Sequence, residues 1–193
     1  HNGRRRQRQM CIRDRLGSTF KILNTAMALD SGVFQAEDII DVVSPLRVGR
    51  HSISDYHPEK HPLNVAEVMV VSSNKGSARI ADKLGVKTQQ RYIRALGLLD
   101  RINLNIPEAA RPLTPQRWKR AELMTISFGH GLSVSPVHLS AAIATAVGNG
   151  HKITPSLIKG GANSDIIEEV FSPETTLKVS CLLYTSPSPR DNR

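Results

Sequence analysis

The sequence predicts a mainly α-helical chain with little strand. Apolar residues recur at helical spacing in successive stretches, those stretches carry helix start or stop chemistry, and only one region alternates as a strand would. In chain order, Ser18–Ser31 sets Phe20, Ile22, Leu23, Ala26, Met27 and Leu29 on a helix that Gly32 closes. Asp38–Asp55 is mixed. Its Val42-Val43 pair, a turn near Gly49 and alternation at Ile53 predict a small hairpin. Two prolines make His57–Pro62 a loop. Asn64-Val-Ala-Glu67 has capping-box spacing and predicts a helix through Val71. After a break at Ser72-Ser73-Asn74, a second helix runs to Leu84 and stops at Gly85. Thr88 is placed to cap a helix through Leu96, ended by Gly97. Pro107 to Pro115 is an irregular linker. Ser135-Pro136, a cap followed by proline at the first helical position, starts a helix that ends at Gly148 to Gly150, and Ser172-Pro173-Glu174 repeats that signal.

A length of 193 residues suits one domain, and 39% hydrophobic with 22% charged residues is the balance of an ordinary globular protein. Aromatics at 4% argue against a surface built to stack nucleobases. The net charge of +9 sits mostly at the ends: His1–Arg15 carries +5 and Cys181–Arg193 carries +1, which leaves +3 for everything between. Both cysteines, Cys11 and Cys181, also lie at the ends, so the body offers neither a disulfide framework nor a thiolate metal site. No apolar run approaches the length of a membrane span. Arg8–Arg15 and Cys181–Asp191 show neither helical nor strand periodicity, and they resemble peptides translated in frame from sequencing-adapter DNA. Residues 1–15 and 180–193 are therefore expected to be non-native tails that pack against nothing, flanking a body over 16–179.

The chemistry-bearing residues lie in that body. Ser18-Thr-Phe-Lys21 opens the first helix, where residues three apart share a face, so the Ser18 hydroxyl and Lys21 amine can meet. A serine nucleophile needs a base, and a desolvated lysine serves once its pKa has fallen. At Ser72-Ser73-Asn74, the Ser72 hydroxyl can relay a proton, and the Asn74 amide can bond a peptide and the lysine together. Each motif by itself is equally an ordinary helix start or turn. Their order is more specific: S-x-x-K opening a helix, then S-x-N at a helix junction about fifty residues later, is the arrangement of penicillin-binding proteins and serine β-lactamases.

Gly17–Gly32 resembles the nucleophile helix of class B penicillin-binding proteins, and Val70–Gly76 is similar to their second motif. Thr125–Pro136 resembles the stretch before their long late helix, closer to the septal, penicillin-binding protein three type. The resemblance implies a mainly α fragment of the α/β serine transpeptidase and β-lactamase-like fold, with the central sheet strands largely missing and 16–179 as a partial transpeptidase domain. It implies Ser18 as nucleophile, Lys21 as base, Ser72 as relay and Asn74 as substrate contact, with no metal and no cofactor. It also implies peptidoglycan stem peptides and β-lactams as partners, divisome membrane proteins as partners of the full-length protein, and no nucleic acid. The expected location is the periplasmic face of a bacterial inner membrane, with the anchor outside this stretch. Two features depart from the family pattern. The third motif, K-T-G, is absent, and Lys87-Thr88-Gln89 is a decoy. Leu16 stands where the family has proline. A nucleophile helix without its sheet is expected to expose the face that normally packs on it.

Other residues have plainer accounts. His51, His57 and His61 suggest a zinc site only weakly, because they occupy a Pro-containing stretch with no partners evident to orient them as ligands; His130 lies between two glycines, and Arg117, Lys119 and Arg120 read as a solvated face. Two alternative functions remain at this point. One is a β-lactam-hydrolysing or β-lactam-sensing serine enzyme; the other is a basic nucleic-acid-binding module resting on Arg4–Arg15.

Overall fold

The computed structural model describes residues 14–102, 104, 111–158 and 168–185. The chain begins with β1 (Asp14–Arg15), a 3-10 turn (Gly17–Thr19) and α1 (Phe20–Asp30). Four short strands follow: β2 (Ile39–Ile40), β3 (Leu46–Val48), β4 (His51–Ile53) and β5 (Leu63–Asn64). Next come α2 (Val65–Val70), α3 (Asn74–Leu84), α4 (Val86–Ala95) and α5 (Arg120–Ile126). β6 (Ser133–Val134), α6 (Pro136–Val147) and α7 (Pro173–Thr185) complete the order. The strands form three separate antiparallel pairs, β1–β6, β2–β5 and β3–β4, and no larger sheet occurs among the described residues. The architecture is mainly α, as the sequence predicts.

α1 is the axis of the core. A helix apolar nearly all round has to be enclosed, and Phe20, Leu23, Ala26, Met27 and Ala28 have no exposed surface. α3, α6 and α7 pack around it. The expected exposed face on the nucleophile helix is therefore not found: from Phe20 to Leu29 only Ile22 is not fully buried. Between α1 and α3, the buried Asn24 donates to the Ser77 carbonyl at 3.2 Å.

Most start and stop signals act as read. Asn64 and Glu67 form the capping box, each side chain taking the other's backbone N–H at 2.8 Å. Ser135 caps α6 with Pro136 at its first position. The hairpin turns at Gly49 with Leu46 opposite Ile53. Val42-Val43 is not part of it: Asp41 Oδ1 accepts the N–H groups of Val43 and Ser44, both at 2.9 Å, and bends the chain there.

Three expectations need correction. α4 starts at Val86, not after Thr88, because Gly85 at φ +84° ends α3 and caps α4 in one residue. Thr88 lies within the first turn of α4, and the Lys87-Thr88-Gln89 triplet is helical. The Arg117–Arg120 stretch is not only a solvated face. Arg120 opens α5 and holds Asp82 on α3 through two bonds of 2.6 and 2.7 Å, while Trp118 donates to the buried Gln89 at 3.0 Å. The ends also pack where they are described. Asp14 and Arg15 pair with Val134 and Ser133. α7 runs on to Thr185, with Leu182 and Leu183 against the core and Ser180 donating to the Val147 carbonyl at 2.9 Å. Read together with Pro173–Ser180, the segment after Cys181 continues a helical repeat through Thr175, Val179, Leu182 and Leu183; read alone, it shows none. Residues 1–13 and 186–193, and the part of the linker at 107–110, lie outside the described residues.

Candidate active site

The site forms where the 3-10 turn, the first turn of α1 and the α2–α3 junction meet. Ser18 stands exposed on the turn that feeds α1. Lys21 is the second residue of the helix and only 2% exposed. Its amine reaches across to the second motif, donating to the Ser72 hydroxyl at 2.9 Å and to the Ser72 backbone carbonyl. Among the described residues no hydrogen bond joins Lys21 to Ser18, although helical spacing puts them on one side. Burial pushes the Lys21 amine down to about 8, against the raising effect of the Asp55 carboxylate.

Ser72 owes its place to the way α2 ends. The N–H of Ser73 returns to the Val68 carbonyl at 3.0 Å and that of Ser72 to Met69 at 3.2 Å, the two bonds of a Schellman motif. The left-handed position of that motif is normally glycine. Here it is Ser72 at φ +58°, the only non-glycine residue with positive φ among the described residues. That conformation costs roughly 1–2 kcal/mol for an L-residue, and it offers both the hydroxyl and the carbonyl to one amine.

Ser73 then caps α3, accepting from Gly76 at 2.9 Å and donating to Asp55 Oδ2 at 2.9 Å. Asn74 donates its side-chain nitrogen to the Ser54 carbonyl at 3.0 Å, rather than contacting Lys21 as the sequence reading suggests. Lys21 and Ser72 are thus brought into contact, Ser18 lies on the turn that leads into the helix of Lys21, and Asn74 is anchored one residue beyond Ser73.

The Thr125–Pro136 stretch closes on the turn that carries Ser18. The Gly17 N–H donates to the Gly129 carbonyl at 3.3 Å. Gly129 sits at φ +85°, and a Cβ there would meet the Gly17 carbonyl oxygen at 2.0 Å. Only glycine allows that approach. The sequence reading included Gly129 only within the Thr125–Pro136 stretch and as a neighbour of His130, and Asp55 only as the end of the hairpin region; neither has a local signal stronger than an isolated glycine or a loop carboxylate. No group of three or more His, Cys, Asp or Glu placed to hold a metal occurs among the described residues. His57 packs edge-on to Tyr56 at 4.6 Å, and His61 meets the Pro62 carbonyl at 3.1 Å. His130 lies exposed and tilted over Phe128 at 5.3 Å.

Known proteins resemble the chain as follows. The profile of the penicillin binding protein transpeptidase domain matches residues 5–190. A protein of Caulobacter vibrioides named "Probable peptidoglycan D,D-transpeptidase FtsI" is 39% identical over 144 residues, 75% of this chain and 24% of that one. The peptidoglycan D,D-transpeptidase FtsI of Escherichia coli is 31% identical over 131 residues, 67% of this chain and 22% of that one. The chain thus spans about a quarter of the length of these relatives. The apo transpeptidase domain of Burkholderia pseudomallei penicillin-binding protein 3 superposes with a TM-score of 0.84 at 26% identity, covering 95% of this chain and 56% of that one. A Burkholderia ambifaria structure described as a peptidoglycan glycosyltransferase gives 0.86 at 26% identity, covering 94% and 58%. Neither the hydrolase nor the nucleic-acid alternative gains support from these relatives. The chain belongs to the penicillin-binding protein transpeptidase family.

Proposed function

We propose that this chain is part of a septal peptidoglycan D,D-transpeptidase whose body, residues 16–179, belongs to the transpeptidase domain. Ser18 Oγ attacks the carbonyl between the two terminal D-Ala residues of a stem peptide. The C–N bond breaks, the last D-Ala leaves with a proton, and an ester to Ser18 remains. An amine of a neighbouring stem then attacks that ester, restoring the Ser18 hydroxyl and completing the cross-link. A β-lactam enters the same first step, and its opened ring stays on the serine.

Lys21 takes the proton from Ser18, and Ser72 passes it toward the leaving amine. Asn74 holds the substrate amide. No metal or cofactor takes part. The protein works at the periplasmic face of the bacterial inner membrane, alongside the membrane proteins of the divisome. The observation that carries the reading is the buried Lys21 amine held 2.9 Å from the Ser72 hydroxyl, on the helix that the turn bearing exposed Ser18 feeds. The test is labelling of the full-length protein with a fluorescent penicillin. A slowly released adduct lost in Ser18→Ala is expected. Rapid turnover of the penicillin would point instead to a hydrolase, and labelling that survives Ser18→Ala would overturn the assignment of the nucleophile.

A further inference from the structure

One carboxylate in this site belongs to none of the three motifs. Asp55 follows β4 in the chain and reaches the N-terminus of α3. Its Oδ2 accepts the Ser73 hydroxyl at 2.9 Å, and its Oδ1 accepts the backbone N–H groups of Asn74 and of Lys75, the latter at 3.0 Å. The neighbouring Ser54 carbonyl takes the Asn74 side chain at 3.0 Å. The first N–H groups of a helix have no partner within the helix, and its dipole favours negative charge there. Asp55 therefore satisfies two donors of the S-x-N turn and the next N–H of α3 at once, from a loop 18–20 residues earlier in the chain. Ser73 transmits the hold inward, since the hydroxyl that donates to Asp55 also accepts from Gly76.

We propose that Asp55 is a positioning residue: it fixes the Ser72–Asn74 turn that receives the Lys21 amine, and its charge favours the ammonium form of that lysine. The proposal deepens the transpeptidase reading and rests on Lys21 as the base. Other charged groups near α1 have their own partners. On α3, Lys75 donates to the Val43 carbonyl, Arg79 meets Asp41 at 3.4 Å, Asp82 holds Arg120, and Lys83 lies over the Phe34 ring. Glu67 caps α2, His138 on α6 bonds Ser135 and the Asp100 carbonyl, and Glu174 pairs with Lys178 on α7. Asp30, on α1 itself, is bound by Tyr92 and Ser172. The Asp55 charge acts on Lys21 against the burial that drives the amine toward neutrality. The turn is thus held by the same group that keeps the resting lysine a cation able to donate to Ser72.

A purely structural anchor would hold the turn without altering the lysine's charge, so the experiment reads that charge directly. The 193-residue chain is labelled with ¹³Cε-lysine, and the Lys21 resonance is assigned by its loss in Lys21→Met. It should titrate near pH 8. Asp55→Asn and Asp55→Ser, which remove the charge, should each lower the midpoint by about half a pH unit or more. Asp55→Glu and Ser73→Ala, which keep the charge but disturb the bonds, should leave it near the wild-type value. An unchanged midpoint in a folded neutral variant would overturn the proposal. So would Ser73→Ala or Asp55→Glu lowering it by about half a pH unit or more, a result readable even if both neutral variants fail to fold. Because this readout needs no acylation, its failure is separable from a failure of penicillin labelling at Ser18.

Discussion

Lys21 is a residue whose burial works against stability. Its folded pKa of about 8 lies below the ordinary lysine value, so between pH 8 and roughly 10.4 the unfolded chain binds more protons than the folded one. Stability from this group therefore rises with pH across that window and is lowest below pH 8. Lys21→Met should raise the melting temperature at pH 7 and flatten the rise between pH 8 and 10, as thermal melts across that range would show. Ser72 stores strain of a different kind. Ser72→Gly should stabilise the fold by about 1 kcal/mol, because glycine accepts the left-handed conformation freely, while removing the hydroxyl that faces Lys21. Urea unfolding should show the gain, and penicillin labelling of the full-length protein should fall. Gly129→Ala should do the reverse. Its methyl meets the Gly17 backbone and not a side chain that can swing aside, so a loss of about 3 kcal/mol is expected, with amide shifts at Gly17 and Ser18.

At the scale of elements, Asp30 ties three helices together. It ends α1, accepts the Tyr92 hydroxyl of α4 at 2.6 Å, and accepts the Ser172 N–H at the start of α7 at 2.8 Å. Tyr92 also stacks on Phe171 with ring centroids 5.4 Å apart. Burial alone would raise the Asp30 pKa, yet the bonds from Tyr92, Ser172 and Thr175 together hold it below the usual carboxylate value. A depressed carboxyl pKa adds stability above its unfolded value near 3.9, and that share is lost as pH falls through the folded value. Asp30→Ala should cost about 2 kcal/mol at pH 7, since it leaves Tyr92 and Ser172 without their acceptor. Denaturant melts of both proteins from pH 3 to pH 7 should converge at the acid end.

The whole molecule sets competence apart from family. The chain keeps Ser18, Lys21, Ser72 and Asn74 but contains no K-T-G sequence. The family resemblance implies that the strand bearing that motif supplies an oxyanion donor, and such donors are worth on the order of a hundredfold or more in rate. The 193-residue chain should therefore acquire little fluorescent penicillin. Stoichiometric labelling that disappears in Ser18→Ala would show that the site in this chain is sufficient. The outward side of α7 presents Leu177 and Tyr184, 66% and 94% exposed. Leu177→Lys should raise the concentration at which the chain stays monodisperse by light scattering, without lowering its melting temperature.

The helical character of the chain, most helix boundaries and the Ser18–Lys21 and Ser72–Asn74 motifs were legible in the sequence because their physics is local. A cap, a glycine stop or an i, i+3 spacing is complete within a few residues. What needed the fold was every contact between residues far apart in the chain. The Lys21 amine turning to Ser72 and not to Ser18, the Asp55 carboxylate under the α3 N-terminus and the Gly17–Gly129 approach all join segments whose order predicts no distance. The same holds for α7 beyond Cys181, where a segment without visible periodicity became the last turns of a packed helix once joined to the residues before it. Sequence named the candidate groups through their types and spacing. Tertiary packing decided which of them touch and how much charge each carries, because burial and the field of a distant carboxylate exist only after the chain has folded.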